Sequence, residues 1–200
     1  MFVKQLLIGD MAVFCYVLAC EAEKKAAVID PAGDVPDILQ VLEDNSFQLE
    51  YIINTHFHWD HTWANQELQD KTQAQLLLQE ADVPLYGKHV DRPLAGDEEL
   101  PLGQYSLQLI HTPGHTPGGI CIYTQGMLFT GDTLFVGDSG RTDLPYSDRQ
   151  ALGASIRKLM QLPGETVVYP GHDYGPSPSS SLDQEKKHNV NAREYGFYQP

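Results

Sequence analysis

Positive charge is scarce in this chain: 13 Lys and Arg stand against 27 Asp and Glu in 200 residues, a formal net charge of −14. The basic residues are scattered rather than clustered. Nucleic acid and anionic membranes repel such a surface, so neither is expected as a partner. Cysteine is sparse too. Cys15, Cys20 and Cys121 are odd in number, show no Cys-x-x-Cys spacing and lie in apolar runs, where a free thiol acts as a small hydrophobe. A disulfide framework is therefore excluded, and a reduced, cytoplasmic protein is expected. Long hydrophobic runs are missing: residues 11–19 form the most apolar stretch, too short to span a bilayer. Gly9 and Asp10 precede it where a signal peptide needs basic residues, so no leader is expected. No Gly-x-Ser-x-Gly motif, internal repeat or linker-like composition occurs. A chain of this length buries roughly 70% of its unfolded surface, enough for a single domain over residues 1–200.

What is present reads first as strands. Residues 2–8, 11–19 and 26–29 are apolar, β-branched and separated by turn residues. Asp30-Pro31-Ala32-Gly33-Asp34 is a turn, and Val35, Ile38, Leu39 and Leu42 then recur at helical spacing. Residues 49–53 form a short buried strand. Helices are predicted from about Trp63 and over 72–81, and strand fragments with loop over 83–102. Residues 105–110, 119–124 and 127–130 read as strands, the last two joined by a Gln125-Gly126 hairpin turn. A helix is expected over 147–160, N-capped by Ser147 or Asp148. A strand over 166–169, a Pro/Ser loop over 175–181 and a closing helix over 182–193 complete the chain. This order predicts two packed sheets with helices outside.

Thr55-His56-Phe57-His58-Trp59-Asp60-His61 stands at the exit of the 49–53 strand. His56 and His58 point to one side of an extended segment, and imidazole with carboxylate is a donor set for zinc, iron or manganese. Three further candidates follow predicted strands: His115 in Pro113-Gly114-His115, Asp132 in Gly131-Asp132-Thr133, and His172 in Pro170-Gly171-His172. The flanking Gly and Pro let the backbone turn sharply. Taken singly, Asp60 reads as a helix cap, His115 or His172 as a hydrogen-bonded structural histidine, and Asp132 as an Asx-turn residue. Five histidines and two aspartates, all at strand exits, are too many for those readings together. A metal site is expected.

The combination His-x-His-x-Asp-His, Gly-His, Gly-Asp and a second Gly-His resembles the metallo-β-lactamase superfamily, from the first strands to about Tyr174. It is most similar to the glyoxalase II-like (hydroxyacylglutathione hydrolase-like) branch. The resemblance implies an α/β (α+β) fold, a four-layer αββα sandwich with the site at one edge. It also implies two divalent ions (zinc, iron or manganese): His56, His58 and His115 on one, Asp60, His61 and His172 on the second, Asp132 bridging. Such open coordination suits catalysis. His61 stands where true β-lactamases often place another residue, and Asp132 where many have cysteine, so antibiotic hydrolysis is not expected.

Two dications about 3.5–4 Å apart hold a hydroxide at neutral pH and polarise a carbonyl. Asp60 is then the candidate catalytic residue, orienting the nucleophile or taking its proton. A thioester suits such a site, because a leaving thiolate needs no strong general acid. Arg141, in Gly140-Arg141-Thr142-Asp143, matches a basic position set against a carboxylate-bearing substrate such as glutathione; the alternative is a surface pair with Asp143. Tyr174 matches a substrate-contacting tyrosine, with packing as the alternative. Phe57, Trp59 and Trp63 either line the mouth or are buried. His111 is expected to position the His115 turn, and His89 and His188 to lie on the surface. The expected activity is hydrolysis of a small-molecule, thiol-derived acyl thioester of glutathione type. Full glyoxalase II proteins carry a further helical domain after this region, and only a short segment follows His172 here. Persulfide dioxygenases are similar in the same motifs and use one iron, on the residues matching His56, His115 and Asp132. That is the alternative; a non-catalytic metal-binding protein or a nuclease is less favoured.

Overall fold

The computed structural model describes residues 1–200 as two six-stranded sheets. The first runs in chain order: β1 (Phe2–Ile8), β2 (Val13–Cys20), β3 (Lys25–Ile29), β4 (Gln48–Ile53), β5 (Gln75–Gln79) and β6 (Arg92–Leu94). Its first three strands are antiparallel and β3 to β6 are parallel. Helix α1 (Val35–Asp44) crosses from β3 to β4; α2 (Trp59–Thr62) and α3 (Asn65–Thr72) cross from β4 to β5. One-turn helix α4 (Val83–Tyr86) precedes β6.

The second sheet is an antiparallel meander of β7 (Glu98–Leu102), β8 (Tyr105–His111), β9 (Ile120–Thr124) and β10 (Met127–Gly131). Strand β11 (Val167–Pro170) joins β10 in parallel through the crossover helix α5 (Arg149–Leu159). The short β12 (Ser180–Ser181) closes the edge and leads into α6 (Leu182–His188).

The period-two alternation of strands builds three apolar layers. In β2, Val13, Cys15, Val17 and Ala19 pack with Val35, Ile38, Leu42 and Leu68 of α1 and α3. Phe14, Tyr16 and Leu18 of the same strand point the other way, onto Leu107, Leu109, Ile122 and Phe129 of the second sheet. Leu128 of β10 and Cys121 of β9 meet Leu152, Ile156 and Leu159 of α5. The order is helix, sheet, sheet, helix: the αββα sandwich.

Where the local signal is strong, sequence and structure agree. Asp148 caps α5, accepting from the N–H of Gln150 at 2.8 Å and of Ala151 at 2.9 Å. Gln125 and Gly126 both take positive φ, 49° and 74°, as a tight hairpin requires. The helix expected over 72–81 is instead the strand β5. Gln73 turns left-handed, φ 60°, and ends α3 there. Leu76, Leu77 and Leu78 are buried on both faces of the sheet. A parallel strand covered twice loses its alternation and cannot be told from a helix by pattern. The closing helix stops at His188, short of 193, because Asn189 is extended, φ −65° and ψ 131°. No helix is long and apolar enough to cross a membrane.

Strands β3, β4, β8, β10 and β11 all deliver their C-terminal ends to one edge of the sandwich. The start of β2 is pinned there too, by the Phe14 N–H donating to Gly171 O at 2.8 Å and the Asp173 N–H to Ala12 O at 3.0 Å.

Candidate metal centre

The centre is built outward from Asp30, the residue after β3, held at φ 50° and almost fully buried. Its Oδ1 accepts the Thr55 N–H at 2.7 Å; its Oδ2 accepts the Thr55 hydroxyl at 2.6 Å and the His61 Nδ1–H at 3.0 Å. The Thr55 hydroxyl hydrogen is thereby committed, so Thr55 Oγ1 accepts from His56 Nδ1, 3.1 Å away. That places the His56 lone pair on Nε2, which is buried with no partner. An orphaned buried acceptor costs about 1–3 kcal/mol unless something fills it.

The other histidines follow the same rule. His115 donates Nδ1–H to Arg141 O at 2.9 Å, leaving its Nε2 3.0 Å from His58 Nδ1. His172 donates Nδ1–H to Met11 O at 2.9 Å. With His61 Nδ1 spent on Asp30, the Nε2 atoms of His61 and His172 face each other at 3.1 Å. A proton held between these two nitrogens, or a metal cation in its place, bridges them. Asp132 lies between the groups. Its Oδ1 is 3.4 Å from His61 Nε2, and its Oδ2 is 3.4 Å from both His115 Nε2 and His172 Nε2. Asp60 Oδ2 is 3.6 Å from His172 Nε2 and 3.8 Å from His61 Nε2. Asp132 Oδ1 is also buried without a hydrogen-bond partner.

Donor atoms fall into three overlapping sets, each within 4.8 Å: His56, His58 and His115; His56, His61 and Asp132; Asp60, His61 and His172. The ring nitrogens not aimed inward on His56, His61, His115 and His172 are held by hydroxyl, carboxylate or backbone carbonyl. This is the outer support that orients metal-ligating imidazoles. The cluster is able to bind metal.

Electrostatics point the same way. Burial and the neighbouring His61 push the His56 pKa well down, and burial with His115 pushes His58 to about 4. Both stay neutral, the form that ligates. Burial opposes charging of His61 as well, but the Asp132 and Asp30 carboxylates outweigh it and raise its pKa to about 9. Burial would raise Asp132; His61 and His172 hold it well below the usual carboxylate range. The pocket is built to contain positive charge.

The structure brings together all seven residues singled out from the sequence: His58, Asp60, His115, Asp132 and His172 line a cleft of ≈ 690 Å³, and His56 and His61 are buried against them. Tyr174 lines the cleft and stacks on His172, centroids 4.4 Å apart and planes at 8°. Arg141 reaches the cleft, but its guanidinium is paired with Asp143, Nε to Oδ1 at 2.6 Å and Nη2 to Oδ2 at 2.7 Å. Phe57 and Trp59 line the mouth. Trp63 stands exposed outside it, edge-on to Trp59 at 6.1 Å. His111 donates Nε2–H to Pro117 O at 2.9 Å, bracing the His115 turn.

Two supporting acids were not evident in the sequence. Asp30 reads there as part of a Pro/Gly turn. Asp82, fully buried after β5, accepts from the N–H of Phe57 at 3.1 Å, the hydroxyl of Thr116 at 2.8 Å and the N–H of Gly118 at 2.6 Å. It ties the loop carrying His56 and His58 to the loop carrying His115. For Asp30 the available signal was an acid directly at the end of an apolar strand; for Asp82 there was none.

Comparison with known proteins agrees with this architecture. The Metallo-beta-lactamase superfamily matches residues 8–172. A hydroxyacylglutathione hydrolase of Rhodospirillum rubrum is 35% identical over 164 residues, covering 80% of this chain and 62% of that protein. This chain thus spans less than two thirds of that relative's length. Among solved structures, ETHE1 from Myxococcus xanthus superposes with a TM-score of 0.89 at 31% identity, over 99% of this chain and 88% of that one. TTHA1623, in a di-iron-bound form, gives 0.83 at 30% identity over 94% and 98%. With the match running from the end of β1 to His172, through every strand exit that feeds the cluster, this chain belongs to the metallo-β-lactamase superfamily.

Proposed function

We propose that this protein is a metal-dependent hydrolase of small-molecule acyl thioesters. On this reading His56, His58 and His115 hold one divalent cation, Asp60, His61 and His172 a second, and Asp132 contacts both. The observation that carries it is the inward-facing set of donors: His56 Nε2 and an Asp132 oxygen buried without partners, and the Nε2 atoms of His61 and His172 facing each other beside them. Similarity to the Rhodospirillum rubrum hydrolase and to the di-iron form of TTHA1623 supports it.

When bound, such cations supply a water acidified to a pKa of about 7 and a Lewis acid for the carbonyl. The chain's own residues do the rest. Asp60, partly open to the cleft, orients the attacking water and takes its proton. A C–O bond forms, the C–S bond breaks, and the departing thiolate receives that proton. His172 is kept in place from both sides, by Met11 O and by the Tyr174 ring.

A second reading is a mononuclear-iron persulfide dioxygenase with iron on His56, His115 and Asp132. The likeness to ETHE1 over nearly the whole chain supports it. Metal content of natively purified protein separates the two. Two ions per chain with chelator-sensitive thioester hydrolysis supports the first reading. One iron with persulfide-dependent oxygen uptake reverses it. His58→Ala is expected to lower kcat/KM for thioesters by more than about 100-fold while the protein stays folded. On the second reading it costs much less than His56→Ala.

A further inference from the structure

The wall of the cleft is largely apolar and aromatic, and Arg141 is its sole lysine or arginine. Trp59, Tyr146 and Tyr174 stand at the cleft with 60%, 65% and 58% of their surface exposed, and Met11, Phe135 and Leu144 continue the wall. Exposed aromatic side chains grouped around a concave site mark a surface awaiting an apolar partner. Tyr146 adds an independent sign. It sits at φ 69°, a left-handed conformation that costs a bulky residue about 1–3 kcal/mol. Glycine or asparagine would take that turn more easily, so the aromatic ring stands there against the backbone preference.

Charge gives the other half. Beyond the candidate metal ligands, the charged residues lining the cleft are Asp138 and Arg141. The Arg141 guanidinium is already occupied by Asp143 in two parallel hydrogen bonds. A carboxylate-bearing thiol such as glutathione would have to displace Asp143 or leave its own carboxylates without a guanidinium partner.

We infer that the cleft selects acyl thioesters with an apolar, aromatic acyl group on a thiol that carries no carboxylate, Trp59 and Tyr146 holding the acyl group and the Arg141–Asp143 pair excluding anionic thiols. This rests on the reading of the cleft as the site of thioester hydrolysis.

The test uses the metal-loaded protein and S-benzoyl-N-acetylcysteamine, S-acetyl-N-acetylcysteamine and S-benzoylglutathione. Expected is a kcat/KM for the first at least about tenfold above each of the others. Trp59→Ala and Tyr146→Ala are expected to reduce the benzoyl-over-acetyl preference to within about threefold. Tyr146→Gly should lose it too while raising the melting temperature, since glycine relieves the left-handed strain. Asp143→Asn frees Arg141 and should raise kcat/KM for S-benzoylglutathione at least about fivefold. A native preference for the glutathione thioester, or a benzoyl preference that survives both aromatic substitutions, overturns the inference.

Binding separates this from failure of the hydrolase reading. S-benzyl-N-acetylcysteamine and S-benzylglutathione, which cannot be hydrolysed, are compared by calorimetry. Tighter binding of the first without turnover of any thioester upholds the selectivity and removes the hydrolase. Turnover with tighter binding of S-benzylglutathione does the reverse.

Discussion

Asp30 touches no substrate, yet it decides which nitrogen of His61 faces the cluster. Asp30→Ala strips the Thr55 N–H, the Thr55 hydroxyl and the His61 Nδ1–H of their acceptor inside a dry pocket. We expect a stability loss of about 3 kcal/mol or more in urea denaturation. Asp30→Asn keeps one oxygen, but its amide can donate to His61 Nδ1, which moves the ring proton to Nε2. Metal affinity should then fall by about 10–100-fold with a smaller loss of stability. A metal titration showing native affinity in both variants would contradict this role. The seven candidate ligands were legible because histidine and aspartate beside glycine at strand exits leave a local trace. Asp30 left little, since its partners Thr55 and His61 lie 25 and 31 positions away.

Loops and the short helix α2, rather than strands, carry the donors, and what keeps two of the loops in register is Asp82. Burial raises its pKa, and the Thr116 hydroxyl with the Gly118 and Phe57 amides opposes that. Gly118 has no room for a Cβ, which would strike the Asp82 backbone and carboxylate. Asp82→Ala removes a shared acceptor for three buried donors and should cost about 3 kcal/mol. It should also lower metal occupancy at the His56, His58 and His115 set before that at the Asp60, His61 and His172 set, read by metal analysis during stepwise chelation. Equal loss from both sets would argue against its bracing role. Helix α5 was readable from its own segment through the Asp148 cap and the spacing of Leu152, Ile156 and Leu159. Strand β5 was not, because Leu76 and Leu77 are covered by layers on opposite faces only after the sandwich assembles.

Across the whole molecule the histidine cluster couples metal, proton and stability. In chelator-treated protein His61, with its pKa raised to about 9, stabilises the fold fully below its ordinary value of 6.5 and progressively less as pH rises from there to about 9. His56 and His58 act oppositely. Their lowered pKa values, about 4 for His58, mean that the unfolded chain binds protons the folded one refuses, so stability falls as pH drops from 6.5 towards 4. Metal-free protein should therefore show a melting-temperature maximum near pH 6.5 with losses on both sides. Added zinc should raise the melting temperature by mass action and remove the alkaline fall, since a cation replaces the proton on His61. A melting temperature of metal-free protein that still climbs from pH 6.5 to 9 would contradict the assignment.

By itself the sequence determined the donor chemistry, the layer order and the acidic surface. These depend on residue type and on short-range periodicity, which a linear reading retains. Tertiary structure alone decided that the Nε2 atoms of His61 and His172 oppose each other, that Asp30 and Asp82 support the loops, and that Arg141 is spent on Asp143 within its aromatic cleft. Those outcomes depend on hydrogen-bond partners and ring orientations set only when strands distant in the chain end side by side, where burial makes each unpaired donor or acceptor costly.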